Sequence, residues 1–114
     1  MIDAADLTAR LIRCPSVTPE EGGALVLLGD LLADAGFEVH RVDRNGTPNL
    51  FARWGAKGAR TFGFNGHTDV VPPGDGWSHD PYGAVIQNGQ MYGRATAVSK
   101  GDFGTFTFAL RALE

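Results

Sequence analysis

The chain has 114 residues, 43% of them hydrophobic, which is enough for one core and too little for two. A formal net charge of -3 offers no broad basic surface for nucleic acid or an anionic membrane, so neither is expected as a partner. No segment has the apolar length of a bilayer span, the acids in MIDAADLTARLIRC argue against a signal peptide, and the lone Cys14 rules out an internal disulfide and fits the reducing cytoplasm.

Residues 3–13 place Leu7, Leu11 and Ile12 on one face, the spacing of a short amphipathic helix that ends at the turn from Cys14 to Val17. Thr18-Pro19-Glu20-Glu21 reads as a second helix start, with Thr18 as cap, Pro19 at the first helical position and a carboxylate three residues after the cap. This helix is predicted to run to Ala35 and stop at Gly36, with Leu25, Leu28, Leu31 and Leu32 facing a sheet. Alternation with period two from Phe37 to Val42 predicts a strand with Phe37 and Val39 on one face. Asn49–Trp54 reads as a second strand, and Thr61–Asn65 as a third, short and apolar like a central buried one. Tyr82–Tyr92 has the pattern of a hairpin turning at Asn88-Gly89, and a last helix is expected to begin near Asp102 and to contain Phe106, Leu110 and Leu113. These elements give an α/β class, helices packed on a mixed sheet, in one unit over residues 1–114.

Many of the 16 glycines fall between Gly55 and Gly104, where loops that carry chemistry are expected. Within that stretch Phe64-Asn65-Gly66-His67-Thr68-Asp69 is an apolar run opening into a polar loop. Extended backbone puts His67 and Asp69 on the same side, so the imidazole and the carboxylate can reach one site. A neutral imidazole is a good zinc ligand, and a nearby carboxylate orients it and raises its basicity. The spacing is equally that of a solvated loop histidine beside a turn-forming aspartate, because two donors do not define a metal site.

The string from Phe64 to Asp75 resembles the first metal motif of the succinyl-diaminopimelate desuccinylase and acetylornithine deacetylase family of zinc-dependent hydrolases and peptidases. Trp77-Ser78-His79-Asp80-Pro81-Tyr82-Gly83, the hairpin that closes on Gly93-Arg94, and the opening Pro15-Ser16-Val17-Thr18-Pro19-Glu20 are similar to that family too, so the resemblance spans nearly the whole chain. It implies the first part of a zinc-peptidase-like catalytic domain, cleaving the amide bond of N-acyl amino acids or peptides. It also implies two zinc ions, His67 as ligand to one and Asp69 as the catalytic residue supporting it from behind. The family continues through a glutamate pair, further ligands and a dimerisation domain, so the second half of the catalytic domain is expected to be missing from residues 1–114 and the chain to be incomplete as an enzyme. A homodimer or a complementing chain is the partner this implies, and a non-catalytic remnant is the alternative function.

One departure from the family falls in the site. Counted from Gly93-Arg94 and from Lys100-Gly101, the aspartate that bridges the two metals falls on Val98, which cannot ligate. Asp102, four residues on, is either a replacement ligand or the N-cap of the last helix, and Ser99 is a weak donor at best. Elsewhere Glu20 and Glu21 read as helix-start acids, His40 as a solvated strand residue, His79 as a loop residue or a stray ligand, and Trp54 and Trp77 as packing residues. Arg94 and Lys100 read as surface or loop charges, with contact to an anionic substrate as the alternative, and Cys14 lacks a neighbour in sequence that would activate a thiol. The substrate-binding residues are not legible.

Overall fold

A computed structural model describes residues 3–58 and 60–113. Three helices, α1 (Ala4–Ile12), α2 (Ala24–Asp34) and α3 (Lys100–Ala112), pack on two small antiparallel sheets, one of β1 (Glu38–Arg41) with β2 (Leu50–Arg53) and one of β3 (Val85–Gln87) with β4 (Gln90–Tyr92). The class is α/β, as the periodicity predicts; the strands are arranged as two hairpins, supplemented by a parallel bridge between Val17 and Val70.

α1 begins where Asp3 accepts the N–H of Asp6 at 2.8 Å, a side-chain cap that satisfies one of the free first-turn donors. It then buries two faces. Leu11 joins Leu28 and Leu32 of α2 over Phe37, Val39, Leu50 and Ala52 of the first hairpin, while Ala9 and Ile12 pack on Ala84 and Met91 at the second. Each fully buried leucine or isoleucine contributes about 1.5–3 kcal/mol, so α1 is the element that ties the two hairpins into one core. Among the described residues no helix is long and apolar enough to cross a membrane.

α2 starts five residues later than Thr18 and Pro19 suggest. Gly22 and Gly23 both have positive φ, 57° and 88°, so no helix can run through them, and Gly23 takes the cap position. A Cβ on Gly22 would lie 2.7 Å from the Pro15 carbonyl carbon, which shows how closely this turn is pressed against the end of α1. Of the acids expected at the helix start, Glu21 does act there: its carboxylate accepts the N–H of Leu25 at 2.9 Å. The stop is as predicted. Gly36 at φ 95° lets the N–H of Phe37 reach the carbonyl of Leu32 and its own N–H reach Ala33, a paired closure of the last turn.

Thr61–Asn65 is not a strand. It carries no regular structure, and Phe62 and Phe64 both stack on Phe106, with Phe64 also meeting Phe103 edge-on at 5.5 Å. Alternation points to extended backbone, but a strand needs a ladder partner, and among the described residues the run from 61 to 65 makes no backbone hydrogen bond. A cleft of about 1040 Å³ bordered by β2, residues 60–69 and α3 lies where such pairing would occur, and Phe62 is 81% exposed on it.

Candidate metal centre

His67 and Asp69 lie at the end of this run and border the cleft. Their side chains fall on the same side, as the alternation predicts. His67 Nδ1 is 2.9 Å from the Asp69 carbonyl oxygen and 3.3 Å from its carboxylate Oδ1. Both of these atoms are acceptors, so the proton of a neutral ring belongs on Nδ1, and Nε2 is left with its lone pair. That tautomer is the one a zinc ligand needs when a carboxylate backs it. The two side chains are about half exposed, 56% and 51%, so a ligand can approach.

Two other segments hold the backbone here. The hydroxyl of buried Ser16 donates to the Thr68 carbonyl at 2.6 Å, and the Ser16 carbonyl accepts the N–H of Val70 at 2.9 Å. Thr18 donates its N–H to the Val70 carbonyl at 2.9 Å. From the other direction Ser99 Oγ donates to the His67 carbonyl at 2.5 Å and accepts the His67 N–H at 3.2 Å. Gly66 is required for the approach of α3, since a Cβ there would meet the Phe103 ring at 2.8 Å.

The remaining residues singled out from sequence are placed elsewhere. Asp102 lies in the first turn of α3 but is not its N-cap; Ser99 holds that position and accepts the Asp102 N–H through its carbonyl at 3.0 Å. Asp102 borders a separate hollow with Ala4, Thr8, Met91 and Thr96, whereas His67 and Asp69 border the cleft. Val98 is 66% exposed and offers no donor. His79 stacks on Tyr92 with ring centroids 4.2 Å apart, and both its nitrogens are engaged, Nδ1 with Ser78 and Nε2 with Gln87. His40 is a surface residue paired with Glu38 at 2.9 Å. Glu20 and Glu21 border the cleft at its α2 end. Trp54 is half-exposed against Phe37, and Trp77 donates to the Pro73 carbonyl at 2.8 Å.

Lys100 is not a loop charge, whereas Arg94 does lie in the turn after β4 and is held there by specific contacts. Lys100 is fully buried and its ammonium donates to the Cys14 carbonyl at 2.8 Å; burial holds its pKa below 10.5, a shift that Cys14 opposes once it is ionised. Arg94 lies 5.4 Å from the centre of the Trp77 ring and donates to the Pro73 carbonyl at 3.2 Å. Cys14 is shifted above 9.0, chiefly by burial and against the pull of Lys100, so it is a protonated thiol at neutral pH.

Among the described residues no three of His, Cys, Asp and Glu converge closely enough to hold a metal ion. The donors present therefore fit one zinc ligand position, an imidazole backed by a carboxylate, and do not make a closed four-donor site.

Residues 63–114, which include this pair, match the profile of peptidase family M20/M25/M40. A succinyl-diaminopimelate desuccinylase of Paracoccus denitrificans (strain Pd 1222) is 64% identical over 109 residues, covering 94% of this chain and 28% of that protein. One from Cereibacter sphaeroides (strain ATCC 17025 / ATH 2.4.3) is 61% identical over 95% of the chain and 29% of its own length. Succinyl-diaminopimelate desuccinylase 1 of Ruegeria sp. (strain TM1040) is 63% identical over 98% of the chain and 30% of its own length. The chain thus spans under a third of the length of these curated relatives. Residues 63–114 are thus similar to peptidase family M20/M25/M40, and nearly the whole chain is similar to the N-terminal part of the succinyl-diaminopimelate desuccinylases.

Proposed function

We propose that the chain is the portion of a metal-dependent amide hydrolase that carries the first metal ligand, acting in the cytoplasm on N-acyl amino acids, with N-succinylated amines as the substrate class suggested by the relatives. The observation that carries this reading is the contact of His67 Nδ1 with Asp69, which leaves Nε2 for the ion. Zinc, when bound, supplies a Lewis acid that polarises the amide carbonyl and acidifies water. The chain's own residues hold and orient. His67 provides one donor, and Asp69 fixes its tautomer and resists rotation of the ring. In the two-zinc site implied by the resemblance, Val98 stands where the bridging aspartate is expected, and Asp102 is the carboxylate to test as its substitute.

A second reading has its own observation. Phe51, Trp54 and Phe62 are each more than half exposed around the cleft, exposed aromatic surface of the kind that another polypeptide covers. On this reading the chain works by associating with the remainder of such a hydrolase, not as a catalyst by itself.

A chimera tests the proposed function. This chain, carrying Val98→Asp, replaces the matching segment of the Paracoccus denitrificans desuccinylase, and amine release from an N-succinyl amino acid is measured with and without zinc. Zinc-dependent release that disappears on His67→Ala is expected. A folded chimera that is inactive, or one in which His67→Ala changes nothing, contradicts it.

A further inference from the structure

We infer that Ser99 is a positioning residue for the His67 ligand. A serine at a helix N-cap ordinarily turns its hydroxyl to a free N–H of the first turn. Ser99 occupies the N-cap of α3 and makes no such bond. Its hydroxyl is committed to residue 67 instead, donating to the carbonyl at 2.5 Å and accepting the N–H at 3.2 Å. A hydroxyl can do both at once, so one side chain satisfies the two backbone groups that a neighbouring strand would take in a sheet. The need for this is local. The run from 61 to 65 that leads into His67 makes no backbone hydrogen bond among the described residues, so without Ser99 the ligand would stand at the end of an unpaired segment.

Ser16 supports the next residue by a single bond, its buried hydroxyl donating to the Thr68 carbonyl at 2.6 Å. With both serines in place the backbone from 67 to 68 is fixed, and the directions of the side chains at 67 and 69 follow from it. The distances of 2.9 and 3.3 Å from Nδ1 to Asp69 depend on that setting. A methyl group at position 99 neither donates nor accepts, so it releases residue 67 and lets the ring move relative to Asp69. The inference rests on the reading of His67 as a metal ligand, but the arrangement can be observed without metal.

The first measurement uses the unmodified chain. Amide hydrogen exchange followed by NMR is expected to show His67 protected relative to the amides of residues 62–65, and equal exchange overturns the inference. The second compares Ser99→Ala with Ser99→Thr, reading the His67 tautomer from its imidazole nitrogen shifts and zinc affinity by titration. Ser99→Ala is expected to turn a predominant Nδ1–H tautomer into a mixture and to weaken zinc binding about tenfold, with Ser99→Thr restoring both. A Ser99→Ala chain with parental tautomer and affinity, or a Ser99→Thr chain that behaves like the alanine variant, overturns it. A His67→Ala control separates the two claims. If zinc binding ignores that substitution the metal reading fails alone, while exchange and tautomer still decide the role of Ser99.

Discussion

An imidazole offers a metal one nitrogen, and what the other nitrogen touches decides which. At His67 the choice is made by Asp69, whose carbonyl and carboxylate both face Nδ1. Asp69→Asn keeps the carbonyl contact and removes the charge, so the ring stays in place but becomes a poorer donor. Zinc affinity measured by titration is expected to fall about tenfold, and an unchanged affinity means that Asp69 does not support the ligand. The spacing of His67 and Asp69 was legible because alternation in an extended run is a local rule. Ser99 and Ser16 were not, because each reaches its target across 32 and 52 residues of sequence and nothing in either serine's neighbourhood marks it. Lys100 illustrates the same limit: a lysine beside glycine and aspartate reads as surface charge, yet the packing of α3 on the end of α1 buries it. Cys14 gives a pH test. Its raised pKa means that folding is favoured by the protonated thiol, a contribution present below 9.0 and lost as pH rises through the folded value. Alkylation by iodoacetamide at about pH 8 is accordingly expected to be slower than that of an unstructured cysteine peptide, and an equal rate contradicts the burial.

At the scale of elements, what could be read correctly was what local sequence decides. The Gly36 stop, the hairpin turning at Asn88 and Gly89 with φ of 54° and 76°, and the faces of α1 all follow from turn chemistry and periodicity. The failures have two causes, one a local glycine pair and the other a missing partner. Thr18-Pro19-Glu20-Glu21 has the composition of a helix start, but the left-handed pair Gly22 and Gly23 forces the chain to turn first. Thr61–Asn65 has the apolar alternation of a strand without a partner to make it one. Close helix packing, by contrast, leaves a mark in the glycines. A Cβ on Gly104 of α3 would fall on the Thr8 hydroxyl and within 2.7 Å of the Ala4 carbonyl, so α1 and α3 approach backbone to backbone there. Gly104→Ala is expected to destabilise the chain by about 1–3 kcal/mol in chemical denaturation, despite the better helix propensity of alanine. A neutral or stabilising change means that the two helices are less tightly apposed.

Across the whole molecule, the cleft and the single ligand position belong together. The core built by α1, α2 and the two hairpins is closed, whereas the aromatic side chains bordering the cleft are open, and His67 and Asp69 lie on that open side. On the proposed reading His67 is a single zinc donor, and among the described residues no three of His, Cys, Asp and Glu converge on an ion, whereas attack of water on an amide takes a metal-bound hydroxide and a positioned base. The 114-residue chain alone is therefore expected to release no amine from N-succinyl or N-acetyl amino acids when zinc is added. Turnover that needs both zinc and His67 contradicts this and points to a site assembled from several copies. The most direct test is calorimetric titration of the chain with zinc beside its His67→Ala variant. Weak binding, further weakened by the substitution, is the predicted result, because one imidazole backed by a carboxylate supplies too few of the four donors zinc takes. Tight stoichiometric binding, or weak binding indifferent to His67, contradicts it.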